Sequence, residues 1–493
     1  MSQPLSQPAP MDDVPQSVVP AKSGGWLAAV MPVILIAACA ELGISILNNS
    51  ALPIYFTKGL HIPTGTYSLL MIPFFISEVL FKSPLGVLAD KIGRKPLMLG
   101  GAMVTVFTPL FFITIHYDYL AATAVITLLT FGLLRALDGL GQAALWPSLY
   151  AYVGDVVAEK KRGAAMGALN VVYMIGIAFS FLIGGFVDDN FGPIFAKQAT
   201  FADQLARFNT RFHARVHALG PRLHHGLHPH SVPLPPAVIL PPMPHYDFRP
   251  EYYYPSFILT SVLFGVAVLA ALAVRGKVRH EDTHPDQASG EAMTWAGFLS
   301  ALKTVPQFLA LAFVTFLGIG CIALLVKKFA LDEYGLSETK FGLLVLGPAL
   351  AIALVAVPAG HLADTWGKTR CVRLGFALCT VGLWGIPILH HLHAGMNGFM
   401  VSAGVLGVGF VLAFPAWLAL LTELGGERQR GTVFAAVSTA QGLGMLLGAS
   451  AGGYMYSSIG HIAPFVAASV LVTLGTTLAL IFVRDSRLRL STS

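Results

Sequence analysis

The chain has 493 residues, 55% of them hydrophobic and only 11% charged, with a mean hydropathy of +0.69. Soluble domains carry roughly 25% charged residues, so a soluble globular fold is excluded. The net charge of +6 sits in loops that flank apolar runs, the pattern of orientation in a bilayer and not of nucleic-acid binding.

Residues 1–25 are rich in Pro, Ser and Gln and lack the basic start and cleavage site of a signal peptide. They read as a disordered cytosolic tail. A spanning helix needs about 20 apolar residues. Such stretches occur at 26–55, 67–87, 96–116, 120–153, 163–187 and 255–274, then at 306–325, 341–359, 371–390, 398–421, 432–455 and 463–483. The expected fold is an all-α membrane protein with 12 transmembrane helices in two pseudo-symmetric six-helix bundles. The first bundle covers 26–274 and is interrupted at 188–254 by an extracytoplasmic His/Pro-rich insertion, whose part from 194 to 219 reads as an amphipathic helix. A polar cytosolic linker occupies 275–304, the second bundle 305–484 and a cytosolic tail 485–493.

Basic residues in short loops set the orientation. Lys91, Arg94, Lys95, Lys160, Lys161, Arg162, Arg275, Lys277, Arg279, Lys368, Arg370, Arg373, Arg428 and Arg430 fall on one side. Lys58, Lys327, Lys328 and Lys340 fall on the other. Both termini are therefore expected in the cytosol of a multi-pass protein of the plasma membrane or a bacterial inner membrane. Lys327 and Lys328 close the seventh stretch and read as snorkelling lysines, with attraction of an anionic substrate as the alternative.

The two halves are related. Pro147, Asp155, Arg162-Gly163 and Gly184-Gly185 recur as Pro415, Glu423, Arg430-Gly431 and Gly452-Gly453, always 268 positions later (415 less 147). A second register, 274 positions apart, joins the loop from Gly86 to Lys95 with a weaker copy from Gly360 to Lys368. Internal repeats are how secondary transporters build a gated site near mid-membrane. In the first loop, Gly86 and Gly93 permit a tight turn and close helix approach. Asp90 is placed to cap a helix or pair with Arg94, and Lys91 and Lys95 to meet anionic lipid heads.

Gly86, Asp90, Lys91, Gly93, Arg94 and Lys95 fill all six positions of the loop Gly-x-x-x-Asp-Arg/Lys-x-Gly-Arg/Lys-Arg/Lys that marks the major facilitator superfamily. The weaker copy keeps Asp364, Gly367 and Lys368. The run from Arg135 to Gly141 is similar to that superfamily's Arg-x-x-Gln-Gly-x-Gly, with Asp138 where Gln is usual. The chain thus resembles the superfamily over about 26–187 and 255–484. The resemblance implies a cytosolic gate that latches the two halves and releases during alternation, the alternative being a topology anchor only. Drug antiporters of the superfamily carry Gly-Pro-x-x-Gly-Gly in the fifth helix. Here Ser180-Phe181-Leu182-Ile183-Gly184-Gly185 keeps the glycine pair without the Gly-Pro, which counts against antiport.

An ionisable group deep in the bilayer costs at least ~2.5–3.5 kcal/mol, so each one needs a reason. Glu41 lies about 22 Å along its helix from Trp26, inside a layer of roughly 30 Å. On an ideal α-helix Ser45, Asn48 and Asn49 share its face. Arg135, Asp138 and Gln142 share a face of the fourth helix. These seven residues are the expected central cavity, with Glu41 or Asp138 as the proton-coupling group and Arg135 biasing its protonation. A permanent Arg135–Asp138 bridge that only positions helices is the alternative. The repeat places Thr315, Ala403 and Leu406 at the corresponding positions, so charge, and with it coupling, is expected in the first half alone. Glu78 and Lys82 read as an intrahelical pair.

Seven histidines lie in the insertion. His213 and His217 share a helical face, and His224, His225, His228 and His230 form a tract. They are weaker candidates for a transition metal, against a tolerated surface insertion of biased composition. The four cysteines have no metal or disulfide spacing, no Walker motif is present, and no nucleophile–base pair marks an enzyme. The leading expectation is a secondary active transporter of a small molecule, proton-coupled and leaning to efflux. It would need no cofactor beyond a proton gradient and would act as a monomer in the lipid bilayer. The alternatives are a proton-coupled uptake symporter, a transporter of transition metals or metal complexes using the histidine-rich insertion, and a receptor or scaffold that no longer turns over.

Overall fold

The computed structural model describes residues 26–115, 121–157, 159–219, 249–274, 306–346, 365–424 and 426–483. Every regular element among the described residues is helical. In the first half these are α1 (Trp26–Ser45), α2 (Ile72–Ile92, preceded by the helical segment Thr64–Leu70), α3 (Arg94–Thr114), α4 (Ala121–Val156), α5 (Glu159–Leu219) and α6 (Tyr254–Ala273). In the second they are α7 (Pro306–Ala323), with a short outer extension at Val326–Tyr334, α8 (338–346), α9 (Lys368–His391), α10 (Gly395–Leu424), α11 (Gly426–Ser458) and α12 (Ala463–Phe482). Ten of the described helices are long and apolar enough to cross a membrane. With no water in the hydrocarbon, each must satisfy its own backbone, which is why the chain has no other choice than helix.

The second half repeats the packing of the first. In the first half α5 and α6 pack on α1, and α4 and α6 on α3; in the second α11 and α12 pack on α7, and α10 and α12 on α9. The turns repeat as well. Gly93 caps α3 at φ +100° and Gly367 caps α9 at φ +99°, a conformation that only glycine holds without strain.

Two departures from the expected spans have local causes. Beyond Ser45 the first helix widens into π-helical turns at Ile46–Ala51 and Tyr55–Gly59, on either side of Pro53. Proline has no N–H to donate and its ring crowds the carbonyl one turn back, so the backbone there opens. The fifth helix does not stop near 187. The first part of the expected insertion continues α5, whose 61 residues reach about 90 Å, some three times the hydrocarbon thickness. Residues 220–248 of the insertion and the expected linker lie outside the described residues.

The end of the molecule carrying the basic loops is termed inner, after the charge asymmetry, and the opposite end outer. At the outer end the halves are clasped. Lys58 pairs with Asp332 (3.3 Å), the Lys327 ammonium donates to the Ser50 carbonyl and hydroxyl (2.8 Å each), and the Thr339 N–H donates to Asp189 Oδ2 (2.8 Å). Glycine pairs let the backbones meet there. A Cβ on Gly185 of α5 would collide with the backbone of Glu338 and Thr339, and one on Gly453 of α11 with Ser68. At the inner end, Arg94 pairs with Asp155 (3.3 Å). Lys95 donates to the Leu272 and Val274 carbonyls that end α6 (2.6 and 2.8 Å), and Arg373 to the Leu480 carbonyl that ends α12 (3.1 Å). Each of these inner contacts stays within its own half.

Candidate functional site

Arg135 is the largest fully buried side chain in the protein, and its surroundings explain how a guanidinium survives there. Its Nη1 donates to Asp138 Oδ2 at 2.7 Å and its Nη2 to Asn48 Oδ1 at 2.7 Å. The Phe74 ring lies 4.5 Å from the guanidinium carbon, adding a cation–π contact. The other Asp138 oxygen accepts from the Thr108 hydroxyl of α3. A buried pair survives desolvation better the more of its remaining donors and acceptors are met. Asn48, Thr108 and the Phe74 ring share that task here, and the Arg135 Nε–H is left without a partner among the described residues. One turn on, Gln142 donates to Thr105 (3.4 Å) and accepts from the Trp146 indole (3.1 Å).

Glu41 forms a separate group. It is 3% exposed, and one carboxylate oxygen accepts from Ser45 at 2.8 Å. Gly176 of α5 packs on it so closely that a Cβ there would come within 2.8 Å of Glu41 Cγ. Tyr150 and Tyr173 face the carboxylate, and Trp146 lies 5.9 and 5.4 Å from their rings. A buried acid within electrostatic reach of two tyrosines, themselves packed on a tryptophan, is chemically suited to an organic ligand with cationic or protonatable character. The aromatic part escaped the sequence reading, although Gln142, Trp146 and Tyr150 recur at helical spacing on one face of α4.

Of the expected cavity residues, the structure brings Arg135, Asp138 and Asn48 into one network and Glu41 with Ser45 into another. Among the described residues no hydrogen bond or ion pair joins Glu41 to Arg135. The π-helical turn at Ile46–Ala51 breaks the ideal α-helical face, so Asn48 meets Arg135 while Asn49 is half-buried outside the network. Glu78 and Lys82 are 3.3 Å apart on one helix face.

In the gate loop, Gly93 makes the turn at φ +100°, and among the described residues nothing lies within 4 Å of a Cβ on Gly86. Lys91 is exposed. The side chain of Asp90 and all of Asp364 fall outside the described residues. So do His224, His225, His228 and His230, and the side chains of His213 and His217 on the extension of α5. Among the described residues no cluster of His, Cys, Asp and Glu is arranged to hold a metal ion.

The reading of Lys327 as a snorkelling lysine is overturned. It is 2% exposed and turned inward, paired with Glu338 and bonded to Ser50 of the opposite half. Charge is therefore not confined to the first half, because Lys327 and Glu338 bring a buried pair from the second. Asp188 of α5, also fully buried, faces them. Their positions carried no warning, since these residues stand near helix ends where charge normally reaches water. Nearby, burial pushes the Asp332 carboxyl up, but Lys328, Tyr456 and Lys58 outweigh it and hold it below the usual aspartate range.

The family model for the Major Facilitator Superfamily matches residues 33–202 and 308–493. The chain belongs to this superfamily. Among relatives, the Quinolone resistance protein NorA of Staphylococcus aureus is 26% identical over 175 residues, 36% of this chain and 44% of NorA. That match thus spans less than half of the relative's length. Multidrug resistance protein 2 of Bacillus subtilis is 21% identical over 434 residues, 87% of this chain and 88% of the relative. Solved structures share the superfamily fold at low identity. A bacterial homolog of the human lysosomal transporter Spinster, in an inward-facing and unoccupied conformation, is 16% identical with a TM-score of 0.64, covering 93% of this chain and 96% of its own. The nucleoside transporter NupG is 9% identical with a TM-score of 0.61, covering 92% and 98%. The chain is thus a multi-pass membrane protein of this superfamily.

Proposed function

We propose that the chain is a proton-coupled exporter of small organic molecules, with both termini in the cytosol of a bacterial cell. The observation that carries this reading is Glu41, a carboxylate held out of lipid against Gly176 of α5, with Tyr150 and Tyr173 within its electrostatic reach. Glu41 alternates between holding a proton and holding a substrate, and the Arg135–Asp138–Asn48 network fixes α1 against α4 beside it. The clasped outer end and the separately anchored inner helix ends support an inward-facing state, open to load substrate from the cytosol. The loop from Gly86 to Lys95 forms the inner latch in the opposite state. The relatives named for quinolone and multidrug resistance support export. The missing Gly-Pro at Ser180-Phe181 favours a second reading, uptake by symport with the same acid.

The test is quinolone flux in proteoliposomes with an imposed pH gradient, comparing the native chain with Glu41→Gln. Coupled flux is expected in the native protein and only gradient-independent exchange in the variant. The sign of the flux separates export from uptake. Intact gradient-driven flux in both Glu41→Gln and Asp138→Asn would remove the reading.

A further inference from the structure

The outer clasp contains more acid than base. Lys327, Glu338 and Asp188 are each at most 5% exposed, and they come from three helical segments of both halves. The Lys327 ammonium is bonded to Glu338 and to the carbonyl and hydroxyl of Ser50. Its three donors are therefore used. Asp188 is 0% exposed, and the Ser256 hydroxyl and N–H approach its carboxylate without closing a well-formed hydrogen bond. Ser256 of α6 faces it, but that hydroxyl is directed to the Gly184 carbonyl (3.4 Å).

Widening the count does not remove the imbalance. Asp189 is occupied by Tyr252 Oη (3.1 Å) and Thr339 N (2.8 Å), while Asp332 is shared by Lys58 (3.3 Å) and Lys328 (2.7 Å). Asp188, Asp189, Asp332 and Glu338 thus face Lys58, Lys327 and Lys328, leaving one carboxylate in excess. Arg249 and Glu251, in the turn against Gly59, add one charge of each sign. Two buried carboxylates that share one ammonium are not stable out of water with both ionised.

We infer that the outer gate closes with one proton bound to the Asp188–Glu338 pair, and that it releases this proton to the outer solution when it opens. On closing, a carboxylate oxygen gains an O–H bond and the buried cluster becomes neutral, with one anion against one ammonium. On opening, that O–H bond breaks, water takes the proton, and both acids stand ionised in water. The gate is thus a proton site of its own, distinct from Glu41, and the inference stands whether or not Glu41 couples transport. Asp332 does not supply the response near neutral pH, because its cations hold it ionised there.

The experiment reads gate opening directly. Spin labels at Pro63→Cys and Ile459→Cys, both exposed at the outer end and on opposite halves, report the separation in nanodiscs, with the four native cysteines replaced. In otherwise native protein, the open-to-closed ratio is expected to rise about tenfold per pH unit on the alkaline limb, as linkage to one proton requires. Asp188→Asn and Glu338→Gln each leave one acid against Lys327, so both flatten the response. The double variant Asp188→Asn, Lys327→Met leaves Glu338 alone and restores it, which a merely damaged gate would not do. The inference is overturned by a response that persists in both single variants or by a double variant that stays flat.

Discussion

Arg135 shows how a single residue can hold a membrane site together without touching cargo. The planar guanidinium donates in two directions at once, to Asp138 on its own helix and to Asn48 on α1. A lysine keeps the charge but is a point donor on a flexible stem, so it cannot span both acceptors in fixed geometry. Arg135→Lys is therefore expected to lower the initial transport rate about tenfold or more, the cost of one charge-assisted hydrogen bond. A monodisperse purified variant would show that the loss is functional, whereas unchanged rates would make the network dispensable. The residues of this network were visible in the sequence because charge inside an apolar run has no bland explanation. Glu41 was visible for the same reason. Lys327, Glu338 and Asp188 were not, because charge near a helix end is ordinarily solvated; only the approach of the opposite half buries them. Periodicity describes a single helix and is silent about which other helix covers it.

The glycine pairs carry the same lesson at the level of elements. Gly184-Gly185 and Gly452-Gly453 could be read as a repeat from their spacing, but their work is visible only in packing. Gly184 lies on Ser50 of α1 and Gly452 on Cys321 of α7, each within a half. Gly185 and Gly453 face the other way, α5 meeting α8 and α11 meeting the Thr64–Leu70 segment. Each pair therefore has one glycine for its own bundle and one for the seam. Because the two seams close together, damage to one should be felt at the other. Gly185→Ala is expected to speed alkylation of Ser68→Cys by a membrane-impermeant maleimide several-fold from the outer side, since Ser68 is buried against Gly453 of the opposite half. Gly86→Ala, with open space around it, is expected to leave the rate unchanged. Equal rates for Gly185→Ala and native protein would mean that the seams open independently. The π-helical turns of α1 were beyond sequence reasoning, even with Pro53 in view, since a proline also permits a simple kink.

At the scale of the whole molecule, the clasp, the buried network and the inner anchors lie in the repeating parts and in the two ends of the expected insertion, which supply Asp188, Asp189 and Tyr252. The outer contacts run from Ser50, Lys58, Asp188 and Asp189 to Tyr252, Ser256, Lys327, Asp332, Glu338 and Thr339. None requires a residue between 199 and 248. The extension of α5 instead carries the chain some tens of ångströms past the clasp before α6 returns at Tyr254. Extra-membrane insertions joined at positions without core contacts are tolerated best. Replacing residues 205–245 with a short Gly/Ser linker is accordingly expected to leave proton-driven organic transport within about two-fold of native, with the gate still closing. The same variant decides the role of the histidines, because the replaced stretch includes His213, His217, His224, His225, His228, His230 and His245. Measured side by side in proteoliposomes, quinolone flux and zinc flux should respond in the same way if the segment is only an insertion. Selective loss of zinc flux would instead give the histidines a transport role that the two related bundles do not need for organic cargo.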